Sequence, residues 1–268
     1  MLDLSKIDYS QLDRPEFLMF LFHPRPEFDV PWSRPTRNED VLIPVDKDAA
    51  IGARFHLSGP SCPNILFFHG NGEIVSDYDD LADVYTRLGI NFYPVDYRGY
   101  GRSTGRPTVT AMMRDCHVIF EFWLAWLKDK KFSGPIIVMG RSLGSASALE
   151  LLSAHADRIK GVIIESGFAH SDTLARVLGH SMKAMGLTEE DGFRNIDKIR
   201  TFGGPTLIIH AELDHVLPFK DGQALFEASP APGKRFLKIP GANHNDIFLK
   251  GLREYMDAVK ELADKAKG

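Results

Sequence analysis

Apolar and polar positions divide the chain into two regimes. Before residue 58 the apolar residues form two short β-like runs, 41–45 and 51–57, separated by the polar stretch Asp46-Lys47-Asp48. Two such runs around a turn read as an antiparallel hairpin. From Asn64 onward the pattern changes. Continuous apolar runs at 64–68, 90–96, 135–138, 161–165, 206–210 and 235–239 have the character of strands covered on both faces. Between them lie segments whose apolar residues recur every three or four positions, at 76–88, 108–128, 146–152, 218–228 and 246–265, which predicts helices. Leu81, Val84, Tyr85 and Leu88 set the first, and Gly89 stops it. Pro94 sits awkwardly in its strand, because proline has no N–H for a ladder. Alternating strands and helices predict an α/β domain, with a doubly wound, mostly parallel sheet behind the N-terminal hairpin.

Two segments stand outside this rhythm. Residues 1–38 are rich in proline and aromatic residues, and are expected to form an arm on the domain surface with a short helix near 14–22. Residues 168–199 carry two weak helical patterns, 173–178 and 181–185, where one crossover helix would suffice. They are expected to form a small cap or widened crossover. The domain proper is then 39–268, with this cap-like insertion at about 168–199.

Composition narrows the class. A chain of 268 residues can hold one large α/β core, and 44% hydrophobic with 25% charged residues is ordinary for a globular protein. A net charge of −4 gives no footprint for a nucleic-acid partner. Cys62 and Cys116 are expected to be plain thiols, and no Cys/His cluster has metal-site spacing. The first residues lack a secretory pattern, and the six-residue run from Phe17 to Phe22 is too short to span a bilayer. A cytoplasmic location is therefore expected, with no membrane span. The oligomeric state is left open.

The candidate chemistry sits at predicted strand ends. Met139-Gly140-Arg141-Ser142-Leu143-Gly144-Ser145 joins a strand to a helix and contains Gly-x-Ser-x-Gly. In that setting the pattern is a nucleophile elbow, a sharp turn that lifts the serine oxygen above the sheet edge. A serine hydroxyl needs a base, and the base needs an orienting acid. His244 follows the last strand and is the candidate base. Asp214, on the exit loop of the preceding strand, is the favoured acid, with Glu212 and Glu165 as competitors. The chain order Ser142, Asp214, His244 is that of an acyl-transfer triad on this type of sheet. His69-Gly70-Asn71-Gly72 closes the first parallel strand and supplies oxyanion donors. The amides of Leu143 and Asn71 are the expected pair, with Gly72 as the substitute for Asn71. His69 is expected to brace its loop, His210 and His215 to be structural, and Arg141 to join an ion pair. Arg98 and Arg102, in Asp96-Tyr97-Arg98-Gly99-Tyr100-Gly101-Arg102, are assigned first to bracing neighbouring loops and second to meeting a substrate anion.

Taken together, His69-Gly70-Asn71-Gly72, Asp96-Tyr97-Arg98-Gly99-Tyr100-Gly101, Gly140-Arg141-Ser142-Leu143-Gly144 and Asn243-His244 resemble an α/β-hydrolase superfamily serine hydrolase. The resemblance covers roughly residues 39–265, and its nearest subgroup is the Bem-type and depalmitoylase-like hydrolases, with a likeness also to prolyl-oligopeptidase-type catalytic domains. It implies hydrolysis of small-molecule carboxylic esters or thioesters through an acyl-enzyme, with no metal or organic cofactor. Some members carry an N-terminal anchor or cysteine cluster. Neither is seen here, which argues against a lipidated-protein substrate. Glu165-Ser166-Gly167 has no assignment in that pattern. The alternatives are a peptidase or amidase on the same triad, and a non-catalytic binding module on this fold.

Overall fold

The computed structural model describes residues 4–27 and 38–268. The proline-rich part of the expected arm at 28–37 lies outside the described residues. Strands β1 (Asn38–Asp46) and β2 (Ala49–His56) form the antiparallel hairpin, in register from Asn38–His56 to Pro44–Ala50, with a shift of register between Pro44 and Asp46 before the last pair, Asp46–Ala49. They continue into β3 (Asn64–Phe68), β4 (Asn91–Val95), β5 (Ile136–Arg141), β6 (Gly161–Glu165), β7 (Thr206–Ala211) and β8 (Arg235–Ile239). The sheet order is β1-β2-β4-β3-β5-β6-β7-β8, and every pair from β4 to β8 is parallel. Pro94 is accommodated inside β4. It pairs with Phe67 on the β3 side, while the β2 ladder registers at Ala53–Val95 and His56–Phe92, on either side of the residue with no N–H to give.

Alternation along each strand sends side chains to opposite faces and builds two cores. Ile65, Phe67, Ile137, Met139 and Ile163 pack under α2 (Asp79–Arg87) and α8 (Ile247–Lys265). Leu66, Phe68, Val138, Val162 and Ile164 pack under α3 (Val109–Asp129) and α4 (Gly144–Ala154). Helix α3 starts where Thr108 caps the Ala111 amide at 3.0 Å, and Trp123 and Ile119 on its inner face are buried. The chain begins its parallel part at β3, winds outward to β4, then returns to β5 on the other side of β3. Such a reversal, above the carboxyl ends of β3 and β5, is where open α/β sheets seat their ligands.

The insertion holds α5 (Ser171–Val177), a short 3-10 turn at Glu189–Asp191, and α6 (Asn195–Ile199). The helix expected at 181–185 is a set of turns. Leu187 bonds back to the Met182 carbonyl, and Gly186 at φ +74° reverses the chain after a single turn. The arm before residue 28 contributes α1 (Pro15–Leu21), with Phe17 and Leu21 buried and Met19 and Phe20 exposed. Arg14 donates to the Met185 carbonyl at 2.9 Å, and the His180 ring lies tilted against Phe17 and Phe20. Helix α7 (Phe219–Ala228) follows Pro218, which sits at the cap rather than in the first turn. Among the described residues no helix is long and apolar enough to cross a membrane.

Candidate active site

Ser142 sits between β5 and α4 with φ +51°, in the left-handed region that costs a non-glycine residue free energy. The turn is feasible because of its flanks. A Cβ at Gly140 would overlap the Gly144 carbonyl, and one at Gly144 would overlap the Phe68 carbonyl, so strand, turn and helix approach as only glycine permits. The Ser142 amide donates to the Glu165 carbonyl at 2.8 Å, which ties the turn to the end of β6.

His244 reaches Ser142 from the loop after β8. Its Nε2 lies 3.0 Å from Ser142 Oγ, and its Nδ1 lies 2.8 Å from Asp214 Oδ2. A carboxylate only accepts, so Nδ1 carries the proton and Nε2 faces the serine hydroxyl as acceptor. The other carboxylate oxygen of Asp214 accepts the amides of Val216 at 3.0 Å and Leu217 at 2.8 Å. One oxygen thus holds the loop and the other holds the imidazole. Burial by itself pushes the Asp214 carboxyl up, but the His244 bond and charge together with the Leu217 amide hold it below the ordinary carboxylate range. The His244 loop is set by Asp246, which accepts the Asn243 amide at 2.7 Å and its side-chain amide at 3.1 Å.

The competing acids are engaged elsewhere. Glu212 accepts from Lys238 and from the Gly241 amide. Glu165 is fully buried, accepts from Tyr255 Oη at 2.7 Å, and faces Arg141 Nε at 3.3 Å. Burial raises its carboxyl above the usual range. The backbone N–H groups of Leu143 and Asn71 have no hydrogen-bond partner among the described residues, and their loops follow the adjacent strands β5 and β3. Pairing of Phe68 with Gly140 brings those loops side by side. The Asn71 side chain is engaged with the arm and Tyr100. Its Oδ1 accepts the His23 amide at 2.9 Å and Tyr100 Oη at 2.7 Å, and its Nδ2 donates to His23 Nδ1 at 2.8 Å. The arm is thereby fastened to the loop after β3, a contact that nothing local in the sequence signals.

A protein-family model described as "Serine aminopeptidase, S33" matches residues 59–192. Human alpha/beta hydrolase domain-containing protein 17B is 31% identical over 245 residues, which cover 87% of this chain and 79% of that protein. The chain belongs to the α/β-hydrolase family. Protein bem46 of Schizosaccharomyces pombe is likewise 31% identical over 200 residues, 72% of this chain and 64% of its own length. Among solved structures, an esterase of Pyrococcus furiosus superposes with a TM-score of 0.73 at 18% identity, covering 92% of this chain and all of that one (100%). Est1E of Butyrivibrio proteoclasticus bound to ferulic acid gives 0.70 at 19% identity, covering 84% and 98%. At these identities the two structures share the fold.

Within this α/β hydrolase the remaining polar residues brace the site. His69 contacts Asp96 at 3.2 Å and the Gly70 carbonyl at 2.8 Å. Arg98 is held bidentately by Asp115 at 2.6 and 2.9 Å, and Arg102 pairs with Glu27 at 3.1 Å, which leaves both on loop architecture. His210 is buried and donates to the Leu217 carbonyl at 2.9 Å, and burial holds its imidazole below the usual range.

Proposed function

We propose that the chain is a serine hydrolase of carboxylic esters or thioesters acting through an acyl-enzyme on Ser142. The observation that carries this reading is the continuous line from Asp214 through His244 to Ser142, at 2.8 and 3.0 Å, at the strand ends of this fold. Ser142 Oγ would attack the acyl carbonyl while His244 Nε2 takes its proton. Asp214, charged at neutral pH, would orient the imidazole and stabilise its protonated form. The amides of Leu143 and Asn71 would hold the developing oxyanion. The proton would pass from His244 to the leaving alkoxide or thiolate, and water activated by the same imidazole would release the acid. The ester and ferulate associations of the two structural neighbours favour an ester over an amide. A peptide or amide substrate is the second reading, favoured by the description of the matching family model.

The test is labelling by a fluorophosphonate, then turnover of p-nitrophenyl esters of increasing acyl length beside matched anilides. Covalent labelling that vanishes in Ser142→Ala, with ester turnover above anilide turnover, is expected. A folded wild-type protein that does not label would refute the reading. Faster anilide turnover would replace it with the amidase.

A further inference from the structure

Arg141, the residue inside the elbow, touches more of the site than any sequence rule requires. Its side chain is only 6% exposed. Nη2 donates to the His244 carbonyl at 2.9 Å and lies 3.3 Å from Glu73 Oε1, while Nε lies 3.3 Å from Glu165 Oε1. Each partner is itself tied to a different strand end. Glu73 Oε2 accepts the Gly70 amide and Tyr78 Oη, both at 2.6 Å, and so closes the loop that carries Asn71. Glu165 accepts from Tyr255, and its carbonyl accepts the Ser142 amide. One guanidinium therefore links the ends of β3, β5, β6 and the loop after β8. These are the four places that would supply oxyanion donor, nucleophile, elbow support and base.

We propose that Arg141 is a positioning residue for acyl transfer: it fixes the main chain of His244 while holding the oxyanion loop through Glu73. The inference rests on the serine-hydrolase reading above. The His244 side chain is held at both ring nitrogens, but those bonds define a distance only if its backbone is also anchored. Among the described residues the Arg141 bond is the one hydrogen bond to the His244 carbonyl. A buried guanidinium between two carboxylates is a costly way to fill space, since apolar side chains of similar volume often do so with equal or better stability. Its planar fork reaches several partners at fixed angles, which a lysine ammonium on a flexible stem does not. Arg141 Nη1 has no partner among the described residues, as expected where placement of Nη2 and Nε dictates the orientation.

The experiment compares wild type, Arg141→Gln, Arg141→Lys, Glu73→Gln and Ser142→Ala in the full chain. It reads fluorophosphonate labelling rate, kcat and KM for p-nitrophenyl acetate, the pH profile, and urea unfolding. Arg141→Gln is expected to remain folded at 10 °C and to lose about 100-fold in labelling rate and kcat, with KM within about threefold, as for a displaced base of roughly an ångström. Arg141→Lys restores part of the loss, because an ammonium can still hold the His244 carbonyl. The charged and titratable groups around His244 are Asp214 and His210, Arg141, Glu165 with Tyr255, and Glu73 with Tyr78. Removing the one cation among them moves the acid limb of kcat/KM to higher pH, and Glu73→Gln moves it lower with about a tenfold loss of kcat. A folded Arg141→Gln within twofold of wild-type kcat, or a loss confined to KM, overturns the inference. If Arg141→Gln does not fold, unchanged kcat in both Arg141→Lys and Glu73→Gln overturns it. A wild-type protein that fails to label sinks both this inference and the reading it rests on, whereas normal labelling in wild type and all Arg141 variants sinks this one alone.

Discussion

The substitution Lys198→Met tests how the arm and the insertion are held to α4. Lys198, on α6, is fully buried, with Nζ 2.6 Å from Glu150 Oε2 on α4 and 2.8 Å from Tyr9 Oη on the arm. Tyr9 donates to the same carboxylate at 2.7 Å. Burial pushes the Glu150 carboxyl up, but Lys198, His117 and Tyr9 together bring it from 4.5 down to about 2. A shift of that size corresponds to roughly 3 kcal/mol on the glutamate side. The lysine side opposes it, because burial pulls the Lys198 ammonium below its ordinary range. The intact pair is therefore worth less than the glutamate shift alone implies, while an unpartnered buried carboxylate costs about 3–5 kcal/mol. Methionine keeps the volume and removes the charge, so Lys198→Met should lower urea-unfolding stability by about 3 kcal/mol, the low end, because Tyr9 still donates. Adding Glu150→Met and Tyr9→Phe should return most of it, since no buried polar atom is then stranded. The sign with pH follows from the depressed carboxyl. Its contribution is present above about 4.5 and disappears as pH falls toward 2, and Lys198→Met should flatten that slope. A loss below about 1 kcal/mol, or a triple variant no more stable than the single one, would refute the reasoning.

Further outcomes are expected from other groups. Asp214→Asn should keep the fold and lower kcat by about 10³–10⁴-fold, read with the same ester, because the amide favours the wrong imidazole tautomer. His56 is buried, and burial reinforced by Arg54 takes it from 6.5 down to about 3. It stays neutral in the folded chain while the unfolded chain takes up a proton, so stability should begin to fall below pH 6.5 and continue toward pH 3. His56→Phe should remove that part of the slope in urea titrations at stepped pH. Cys116 is fully buried, burial holds its thiol well above the usual range, and it donates to the Met113 carbonyl, whereas Cys62 is half-buried. Iodoacetamide on the native protein should therefore modify Cys62 first, with Cys116 reacting only after urea is added, as read by peptide mass spectrometry.

Much of this architecture is written locally in the chain. The apolar runs and their 3.6-residue partners specify the strand–helix alternation, because each face of a buried strand and each stripe of a helix must leave water. Gly140 and Gly144 mark a close strand–helix approach that any side chain would block. Since motifs at the ends of parallel strands share one edge, Ser142, Asp214 and His244 could be nominated together before any coordinates. Local pattern could not separate the three carboxylates. Glu165 ends a strand and Glu212 and Asp214 follow one, and only packing shows that the first faces Arg141, the second Lys238 and the third His244. Nor could it show the 181–185 pattern ending as turns, where a glycine at positive φ outweighs weak periodicity. The joins between Arg141 and His244, Asn71 and His23, and Lys198 and Tyr9 span 103, 48 and 189 positions. Short-range patterning encodes which face of an element is buried. Which polar group meets which across such separations is decided only when the sheet order places their loops side by side.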